Sequence, residues 1–479
     1  MNHAPGDELE LTLHGFSPDG RGVGRTDEGL TVFVQGGLAG QRVRARLTSV
    51  KKCMAEAEAA AVLEASPEER PAPCPHAAHC GGCPWQRLPL PLQHTWKRRI
   101  VHDALTRIGR LNVPEALVQP VLSTGQEWGW RNKMEFAFAA DSAGKTLLGL
   151  RARASHAVVE VTGCLLQTPR TMAVLQALRE LCRKAGLSAA PEANRTATRS
   201  SARPGAILRF AVLREPRRGG CLAELITLPA PQEAQKVRQV GEALLSGPWG
   251  VTGFVHSTRA APSSVASGER TALVLGESTL TETLFLQGRE VAFRLGHNSF
   301  FQVNSQAAEL LYETAAQEAA RLFPSAPGTL WGKSCWDIYC GVGGLALTLA
   351  PHFESVSGLE IATPAVALAS ANAAALRENT VFRFETGDAA ALERWFQRFG
   401  TPELLVTDPP RSGMDSRTVQ ALLTFRPPRL LLVSCNPATL ARDLARISSA
   451  YELRSVRPVD LFPQTPHVET VVCLSRGEG

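Results

Sequence analysis

Two short motifs near the end of the chain contain residues that could perform chemistry. Asp408-Pro-Pro-Arg411 and Ser434-Cys-Asn-Pro437 each follow an apolar run that predicts a β-strand. Ligands bind at the carboxyl ends of the strands in doubly wound sheets, so we expect both motifs at such a site. An Asp-Pro-Pro followed by an aromatic residue would indicate methylation of an exocyclic amine. Arg411 in that place argues against this chemistry.

Cys435 is a candidate nucleophile. Carbon 5 of uracil is unreactive, but a thiolate that adds to carbon 6 creates an enolate whose carbon 5 can attack a methyl donor. A base must then remove the carbon 5 proton, and Glu469 in Pro466-His-Val-Glu469-Thr is the candidate. A helix after Pro437 would favour the thiolate. A lone cysteine is often a small buried hydrophobe, which leaves the Ser-Cys-Asn-Pro turn unexplained. We interpret His467 as structural.

A glycine-rich turn is the candidate site for the methyl donor. Asp337-Ile-Tyr-Cys-Gly-Val-Gly-Gly344 follows an apolar strand and opens a helix over Leu345–Ala350. Glycines there let the backbone approach a ligand closely. Glu360 ends the next strand, 19 residues after Gly341, where a carboxylate can hold both hydroxyls of a ribose. The turn lacks the third glycine of the pyrophosphate fingerprint, so S-adenosylmethionine (SAM), which has no pyrophosphate, suits it better than NAD.

A parallel sheet is needed to position these motifs. In the last third of the chain, near-continuous apolar strands alternate with helical segments, which is typical of a doubly wound sheet covered on both faces. The expected strands are Cys335–Tyr339, Val356–Glu360, Val381–Glu385, Leu404–Thr407, Leu430–Val433 and a final strand, Val471–Leu474. A helical pattern over Asn304–Phe323, capped by Asn304 or Ser305, precedes them.

The N-terminal segment predicts a separate small β-barrel. Leu9, Leu11 and Leu13 alternate with polar residues, as expected of a half-buried strand. Further strands are predicted over Leu30–Val34 and Arg42–Leu47, and glycine-rich turns separate them. Short strands with basic alternation on one face suit a barrel that contacts nucleic acid.

Basic residues are clustered although the formal net charge is only +6. Residues 41–55 contain five basic side chains and no acid, and residues 195–218 contain seven arginines against one acid. Such patches suit a phosphate-rich partner, with solvated surface loops as the alternative. Arg131 with Trp128 and Trp130 could contact RNA, or the tryptophans could belong to the core.

Composition excludes several classes of protein. The chain has 479 residues, enough for roughly three domains, and its 44% hydrophobic and 20% charged content is ordinary for a folded protein. The first ten residues are polar and acidic rather than a signal peptide, and no apolar run reaches the roughly 20 residues of a membrane span. Eleven cysteines without an export signal indicate a reducing compartment, so we expect a cytoplasmic location.

The middle of the chain predicts a mixed region after a linker at Ser66–Pro73. A helix is expected over Leu92–Leu111, with its buried face repeating every four residues at Trp96, Ile100, Ala104 and Ile108. Short strands such as Lys133–Ala139 and Arg209–Leu213 follow. A cluster of cysteines, Cys74-x5-Cys80-x2-Cys83, stands between the linker and the helix.

The C-terminal third resembles the RNA 5-methyluridine methyltransferases. The matching segments are Ser299-Phe-Phe-Gln-Val-Asn304, Asp337–Gly344, Asp408–Gly413, Ser434–Asp443 and Asp460–Glu469. The resemblance implies Cys435 as nucleophile and Glu469 as base. It assigns SAM contacts, together with the glycine turn, to Gln302, Tyr339, Gly341, Gly344, Glu360, Asp388 and Asp408. Some members carry asparagine where this chain has Gly344, so that contact would be through the backbone.

The N-terminal half resembles the ribosomal-RNA branch of the same family. Residues 7–65 look like its small RNA-binding barrel, called TRAM. Cys74, Cys80, Cys83 and Cys164 resemble its iron–sulfur ligands and imply a [4Fe–4S] cluster, although four thiolates by themselves would suit zinc equally well. We interpret the other cysteines as core residues, namely Cys53, Cys182, Cys221, Cys335, Cys340 and Cys473.

Together these interpretations predict an α/β protein of three units. They are a TRAM-like, OB-like barrel over residues 1–66, a central mixed α+β domain with the cysteine cluster over 67–290, and a Rossmann-like SAM methyltransferase domain over 291–479. The expected reaction is methylation of carbon 5 of a uridine in 23S ribosomal RNA. The alternatives are a transfer-RNA uridine methyltransferase, a non-catalytic iron–sulfur RNA-binding protein, and a small-molecule or protein methyltransferase.

Overall fold

The computed structural model describes residues 3–190, 205–323, 329–376 and 378–477. The strands of these parts form a closed barrel, a large central sheet, a hairpin and a seven-stranded C-terminal sheet. No helix within the described parts is long and apolar enough to cross a membrane.

The barrel forms because its strands alternate buried apolar and exposed polar residues. Its strands are β1 (Glu8–Phe16), β2 (Gly22–Arg25), β3 (Thr31–Gln35), β4 (Arg42–Val50) and β5 (Met54–Glu64), closed in the order β1-β2-β3-β5-β4. The pairing of β3 with β5 is parallel, and this five-stranded closure suits the OB-like barrel expected from the sequence. Leu11, Leu13 and Val43 lie in its core.

A long helix joins the barrel to the rest of the molecule. Helix α1 (Leu90–Asp103) ends in a π-helical turn over residues 104–108. The barrel contacts α1 through Phe16, whose ring lies 5.2 Å from that of Trp96. The predicted burial of Ile108 is wrong, since it is 49% exposed while Leu105 is fully buried. The wider π turn shifts the four-residue repeat, so Leu105 continues the buried face instead.

The central domain is a mixed sheet with helices, as expected. Its strands are β6 (Lys133–Ala140), β7 (Thr146–Arg151), β8 (Val158–Glu160), β9 (Ser188–Ala189), β10 (Ala206–Arg214), β11 (Cys221–Thr227), β12 (Val251–Thr258) and β13 (Arg270–Gly276). They run in the order β13-β12-β11-β10-β6-β7-β8, and β9 pairs with β10. Helices α2 (Pro169–Lys184) and α3 (Ala234–Ser246) share one apolar core with this sheet.

The C-terminal domain is doubly wound. Its strands are β16 (Gly332–Ile338), β17 (Phe353–Glu360), β18 (Val381–Thr386), β19 (Leu404–Thr407), β20 (Arg429–Ser434), β21 (Tyr451–Val459) and β22 (Glu469–Arg476). Its helices are α4 (Ser305–Ala320), α5 (Gly344–Leu349), α6 (Thr363–Ala375), α7 (Leu392–Phe399), α8 (Ser416–Phe425) and α9 (Pro437–Ile447). The order is β18-β17-β16-β19-β20-β22-β21, and β22 is antiparallel to both neighbours. Two separate apolar cores cover the two faces, which confirms the predicted fold class.

The hairpin between the two large sheets packs with the C-terminal domain. It consists of β14 (Thr279–Leu286) and β15 (Arg289–Gly296). Leu284 and Phe293 from this hairpin belong to the same core as α4 and α5. The domain boundary at residue 290 stays a prediction, and this packing favours an earlier start of the third unit.

Candidate active site

The two candidate catalytic residues meet where β20 and β22 stop pairing. Ser434 and Thr470 face each other as the last pair of this antiparallel ladder. Cys435 and Glu469 are the next residues of the two chain segments beyond this pair, and the charge of Glu469 acts on the Cys435 thiol. The strand register therefore sets a thiol beside a carboxyl group at the carboxyl edge of the sheet.

Glu469 is a buried acid with an unused oxygen. Its side chain is only 3% exposed, and within the described structure its Oε2 atom has no hydrogen-bond partner. Burial and the negative charge of Asp408 together raise the pKa of Glu469 to about 8, against the opposing effect of Arg411. A carboxyl group with a pKa near neutrality can both accept and release a proton under physiological conditions.

The Cys435 thiol is half-buried and protonated in the free protein. Burial and the negative charges of Glu469 and Asp408 together raise the pKa of Cys435 to about 12, although Arg411 lowers it. Helix α9 does begin at Pro437, with the Asn436 side chain accepting a hydrogen bond from Ala438 N at 3.0 Å. The helix that was predicted to favour the thiolate is therefore present, while burial and the two carboxyl groups act in the opposite direction.

Two polar residues near Asp408 were not predicted as site residues from the sequence. Asp337 and Tyr312 line a small cavity that Asp408 also faces. Burial raises the pKa of Asp337 well above its usual range, and burial raises that of Asp408 to about 7. Asp337 stands first in the glycine-turn motif, so a signal existed for it. Tyr312 lies inside a helix pattern that gave no such signal.

The glycine turn adopts backbone conformations that suit close approach of a ligand. Tyr339, Gly341 and Gly343 all have positive φ angles, of 71°, 53° and 96°. For the non-glycine Tyr339 this conformation is strained, as is common at binding sites. Glu360 Oε2 accepts a hydrogen bond from Gly341 N at 3.2 Å. The carboxylate that is predicted to bind the ribose is therefore bonded to the glycine turn.

Gly344 has a steric reason to lack a side chain. A Cβ atom at this position would lie 2.4 Å from the hydroxyl oxygen of Tyr312. The tyrosine occupies the space that an asparagine side chain would need. Only the backbone of Gly344 can therefore meet a ligand, as the sequence indicated.

A large cavity of about 1250 Å³ connects the predicted sites. It is lined by the candidate catalytic pair and by six of the seven predicted cofactor residues: Cys435, Glu469, Gln302, Tyr339, Gly341, Glu360, Asp388 and Asp408. Gly344 lines the small neighbouring cavity instead. Pockets for small ligands usually occupy about 300–1,000 Å³, so this space suits a cofactor together with part of a larger substrate.

The four clustered cysteines line the same cavity as the catalytic pair. Cys74, Cys80, Cys83 and Cys164 are partly exposed and form no disulfides. Burial raises the pKa of Cys83 above its usual range, and the other three thiols raise it further, so the four are neighbours. Among the described residues, no group of His, Cys, Asp or Glu side chains is arranged to hold a metal ion.

The remaining cysteines separate into buried and exposed positions. Cys182, Cys221, Cys335, Cys340 and Cys473 are buried, which confirms their interpretation as core residues. The same interpretation of Cys53 is wrong, because it is exposed. It lies in the turn between β4 and β5, where no core is available.

The basic stretches are largely neutralised within the protein. On β4, Arg42 and Arg46 form ion pairs with Glu10 and Glu8 at 2.8 Å. The first part of the stretch 195–218 lies outside the described residues, and a described member, Arg214, is buried. Two others pair with acids: Arg217 with Glu309 and Arg218 with Glu290.

The tryptophan motif divides between core and cavity. Trp130 is buried in the core of the central domain. Trp128 and Arg131 line the large cavity, which leaves them able to meet a substrate.

Comparison with known proteins agrees with this geometry. Residues 263–477 match the family model of tRNA (uracil-5-)-methyltransferases, and residues 4–60 match the TRAM domain. A solved structure from Pyrococcus abyssi, a tRNA (uracil-54, C5)-methyltransferase in complex with S-adenosyl-L-homocysteine, is similar in fold with a TM-score of 0.71. It is 22% identical, and the match covers 97% of this chain and 100% of that one.

Relatives are similar over almost the whole chain. An uncharacterized RNA methyltransferase of Nitratidesulfovibrio vulgaris is 43% identical over 480 residues, covering 99% of this chain and 97% of the relative. Another, from Gloeobacter violaceus, is 33% identical and covers 98% of this chain and 97% of its own length. The chain therefore belongs to the RNA methyltransferase family that the uracil-5 model and these relatives define.

Proposed function

We propose that this RNA uracil-5-methyltransferase transfers the methyl group of SAM to a uridine of 23S ribosomal RNA, with Cys435 as nucleophile and Glu469 as base. The register that sets Cys435 beside Glu469 is the observation that carries the proposal. A uridine stacked in folded RNA must be turned out into the cavity, which costs a few kcal/mol of unstacking. The volume of the cavity accommodates such a base.

The residues around the glycine turn would hold SAM. Each carboxylate oxygen of Glu360 accepts one backbone hydrogen bond, from Gly341 N and Ala362 N, and would bind the ribose hydroxyls with its remaining lone pairs. Tyr339, Asp388 and Gln302 line the same part of the cavity. When bound, SAM supplies an electrophilic methyl group. The bound S-adenosyl-L-homocysteine of the Pyrococcus abyssi enzyme supports a ligand of this kind.

The side chains of this chain then act in two stages. Cys435 releases its proton to solvent, aided by the positive charge of Arg411, and its thiolate sulfur bonds to carbon 6 of the uracil while the electrons of the C5–C6 double bond move to form the enolate. After carbon 5 has taken the methyl group, the Glu469 carboxylate removes the carbon 5 proton. The electrons of that C–H bond restore the ring double bond and expel the Cys435 sulfur.

Replacement of Cys435 by alanine tests this function. We expect Cys435→Ala to lose methyl transfer while it keeps the RNA affinity of the unchanged protein, because alanine removes only the sulfur. Transfer of labelled methyl from SAM and RNA binding in a filter assay measure the two properties. Methyl transfer by Cys435→Ala would reject the mechanism. Absence of methyl transfer by the unchanged protein would favour the RNA-binding alternative.

Transfer RNA is the second candidate substrate. The matched family model and the Pyrococcus abyssi enzyme are both named for transfer RNA, whereas the cysteine cluster and barrel support ribosomal RNA through the resemblance. Mass spectrometry of both RNA pools from a strain without this protein distinguishes them. Loss of 5-methyluridine from 23S RNA is expected, and loss from transfer RNA alone would reassign the substrate.

The cysteine cluster would hold a [4Fe–4S] group. In such a cluster each of four thiolates binds a different iron, so the ligands need not converge on one ion. Four neighbouring thiols without disulfides on one cavity wall suit this arrangement. Iron and sulfide content of protein purified without oxygen tests it. Four of each per chain are expected, and one zinc ion would contradict the cluster.

A further inference from the structure

The segment leading to Glu469 is an irregular loop with no secondary structure of its own to hold it. Asp460–Val468, which we call the base loop, connects β21 to β22. Asp460, Gln464 and Pro466 are all buried in it. Glu469 is the first residue of β22 and pairs with Val459, but its Oε2 atom is unbonded in the described structure, so the base loop that leads into it contributes to the position of its carboxyl group.

Helix α1 holds the start of the base loop through a buried ion pair. Lys97 Nζ lies 2.5 Å from Asp460 Oδ1 and donates a hydrogen bond to Phe462 O at 3.1 Å. Both charged side chains are fully buried. His94 Nε2 lies 3.2 Å from the second oxygen of Asp460. Movement of the loop away from α1 would separate this pair and leave an uncompensated buried charge. Because that is costly, the ion pair holds the start of the loop against α1.

One turn earlier on α1, a second side chain holds the middle of the loop. Gln93 Oε1 accepts a hydrogen bond from Gln464 N at 2.8 Å, and its Nε2 donates to Gln464 Oε1 at 2.9 Å. Gln464 has a φ of 73°, which is strained for a residue other than glycine. These paired hydrogen bonds therefore hold the loop in a conformation that it would not adopt alone.

The barrel contacts the end of the loop. The fully buried Trp85 links the two parts, since its backbone N–H donates to Gln464 O at 3.0 Å and its Nε1 donates to Gly20 O at 3.3 Å. Gly20 lies in the turn between β1 and β2, and a Cβ atom there would lie 2.5 Å from Cγ of Pro466. The barrel turn thus packs against a residue three positions before Glu469.

We propose that α1 and the barrel position the catalytic base, with Gly20, Gln93 and Lys97 as positioning residues that act on Glu469 through the base loop. This inference rests on the proposed role of Glu469. It gives the barrel a second task besides RNA binding, because its docking is then required for the removal of the carbon 5 proton.

A matched pair of glycine substitutions tests the inference. Gly20 and Gly29 both lie in barrel turns with φ angles of 84° and 89°, so alanine strains the backbone equally at either. Only at Gly20 does the new Cβ meet another part of the chain, since nothing lies within 4 Å of one at Gly29. Gly20→Ala therefore disturbs the base loop, and Gly29→Ala controls for damage to the barrel.

The readout separates methyl addition from proton removal. We use 23S RNA and transfer RNA transcripts with labelled SAM and follow both turnover and the labelled RNA–protein adduct that survives denaturation. Gly20→Ala should bind RNA as Gly29→Ala does but turn over roughly 10- to 100-fold more slowly, the usual effect of a misplacement of about 1 Å. Labelled adduct should accumulate, because a misplaced base slows the last step.

Equal turnover and equal adduct in the two glycine variants would overturn the inference. If Gly20→Ala does not fold, Gln93→Met tests the hold of α1 on the same loop, because it removes both bonds to Gln464, together with those that Gln93 Nε2 donates to Leu88 O and Trp85 O, at nearly constant length. Glu469→Gln separates the two proposals. Normal turnover in Glu469→Gln would reject the proposed function itself, whereas trapped adduct in Glu469→Gln with no difference between the glycine variants would reject only the positioning role.

Discussion

Two acidic side chains, Glu469 and Asp408, lie beside the Cys435 thiol. Burial raises the pKa values of Glu469 to about 8 and of Asp408 to about 7, and each negative charge makes the next harder to form. The same charges raise the pKa of the Cys435 thiol, which disfavours the thiolate in the free protein. The free protein is therefore protected against unwanted reactions of a thiolate, since only the thiolate is nucleophilic.

The raised pKa of Glu469 predicts the pH dependence of the last step. Only the carboxylate can accept the carbon 5 proton, so the rate of adduct breakdown should rise about tenfold per pH unit below pH 8 and level off above it. Rapid quenching of labelled adduct between pH 6 and pH 9 measures this rate. A rate that is constant over that range, or that falls with pH, would show that Glu469 is not the base.

At the scale of elements, the buried parallel strands were predicted from the sequence, but some of the other strands in the barrel and in the C-terminal sheet were not. Apolar runs such as Leu404–Thr407 are confirmed because strands buried on both faces need continuous hydrophobic residues. Strand β21 was missed since its burial is irregular, and β5 was missed because alanine and glutamate favour helix. The sequence offered Asn304 or Ser305 as the N-cap of α4, and in the structure the cap is Asn304.

The candidate site was predictable where a motif carried it. Cys435, Glu469 and Glu360 stand at strand ends, and strand order brings such ends to one edge. Tyr312 was not predictable, because it lies on a helix whose packing against the glycine turn depends on tertiary structure. The same limit applies to the contact of Gly20 with Pro466, which joins residues far apart in the chain.

The contact between α4 and α5 predicts the effect of a methyl group at Gly344. Gly344→Ala should weaken SAM binding and lower the free energy of unfolding by about 1–3 kcal/mol, because the new Cβ overlaps Tyr312. Gly163→Ala is the control, since nothing lies within 4 Å of its Cβ. Calorimetry with SAM and urea unfolding measure both effects. An unchanged Gly344→Ala, or no recovery when Tyr312 is also changed to leucine, would contradict this packing.

At the scale of the whole molecule, fewer basic side chains of the barrel are free to bind RNA than its sequence suggested. The arginines of β4 are exposed but bound to glutamates of β1, so little of their charge is available to RNA. Lys51 and Lys52 occupy the next turn, are exposed and form no ion pair within the described parts of the chain. The free cations of the barrel are therefore concentrated at one end.

This distribution predicts which basic residues bind phosphate. Lys51→Ala and Lys52→Ala should each weaken RNA binding and reduce the slope of log affinity against log salt by about 1. Arg42→Ala should change the slope less, because its charge is already balanced by Glu10. Binding titrations between 50 and 200 mM salt, about the range where such effects are large, measure the slopes. A larger change for Arg42→Ala would contradict this assignment.

The bond between Cys435 and the pyrimidine can be captured directly. In RNA that carries 5-fluorouridine, fluorine replaces the proton that Glu469 removes, so the methylated adduct cannot break down. Incubation with SAM, digestion and mass spectrometry then identify the modified peptide. We expect a methylated fluorouridine attached to Cys435. An adduct on another residue, or complete turnover without an adduct, would contradict it.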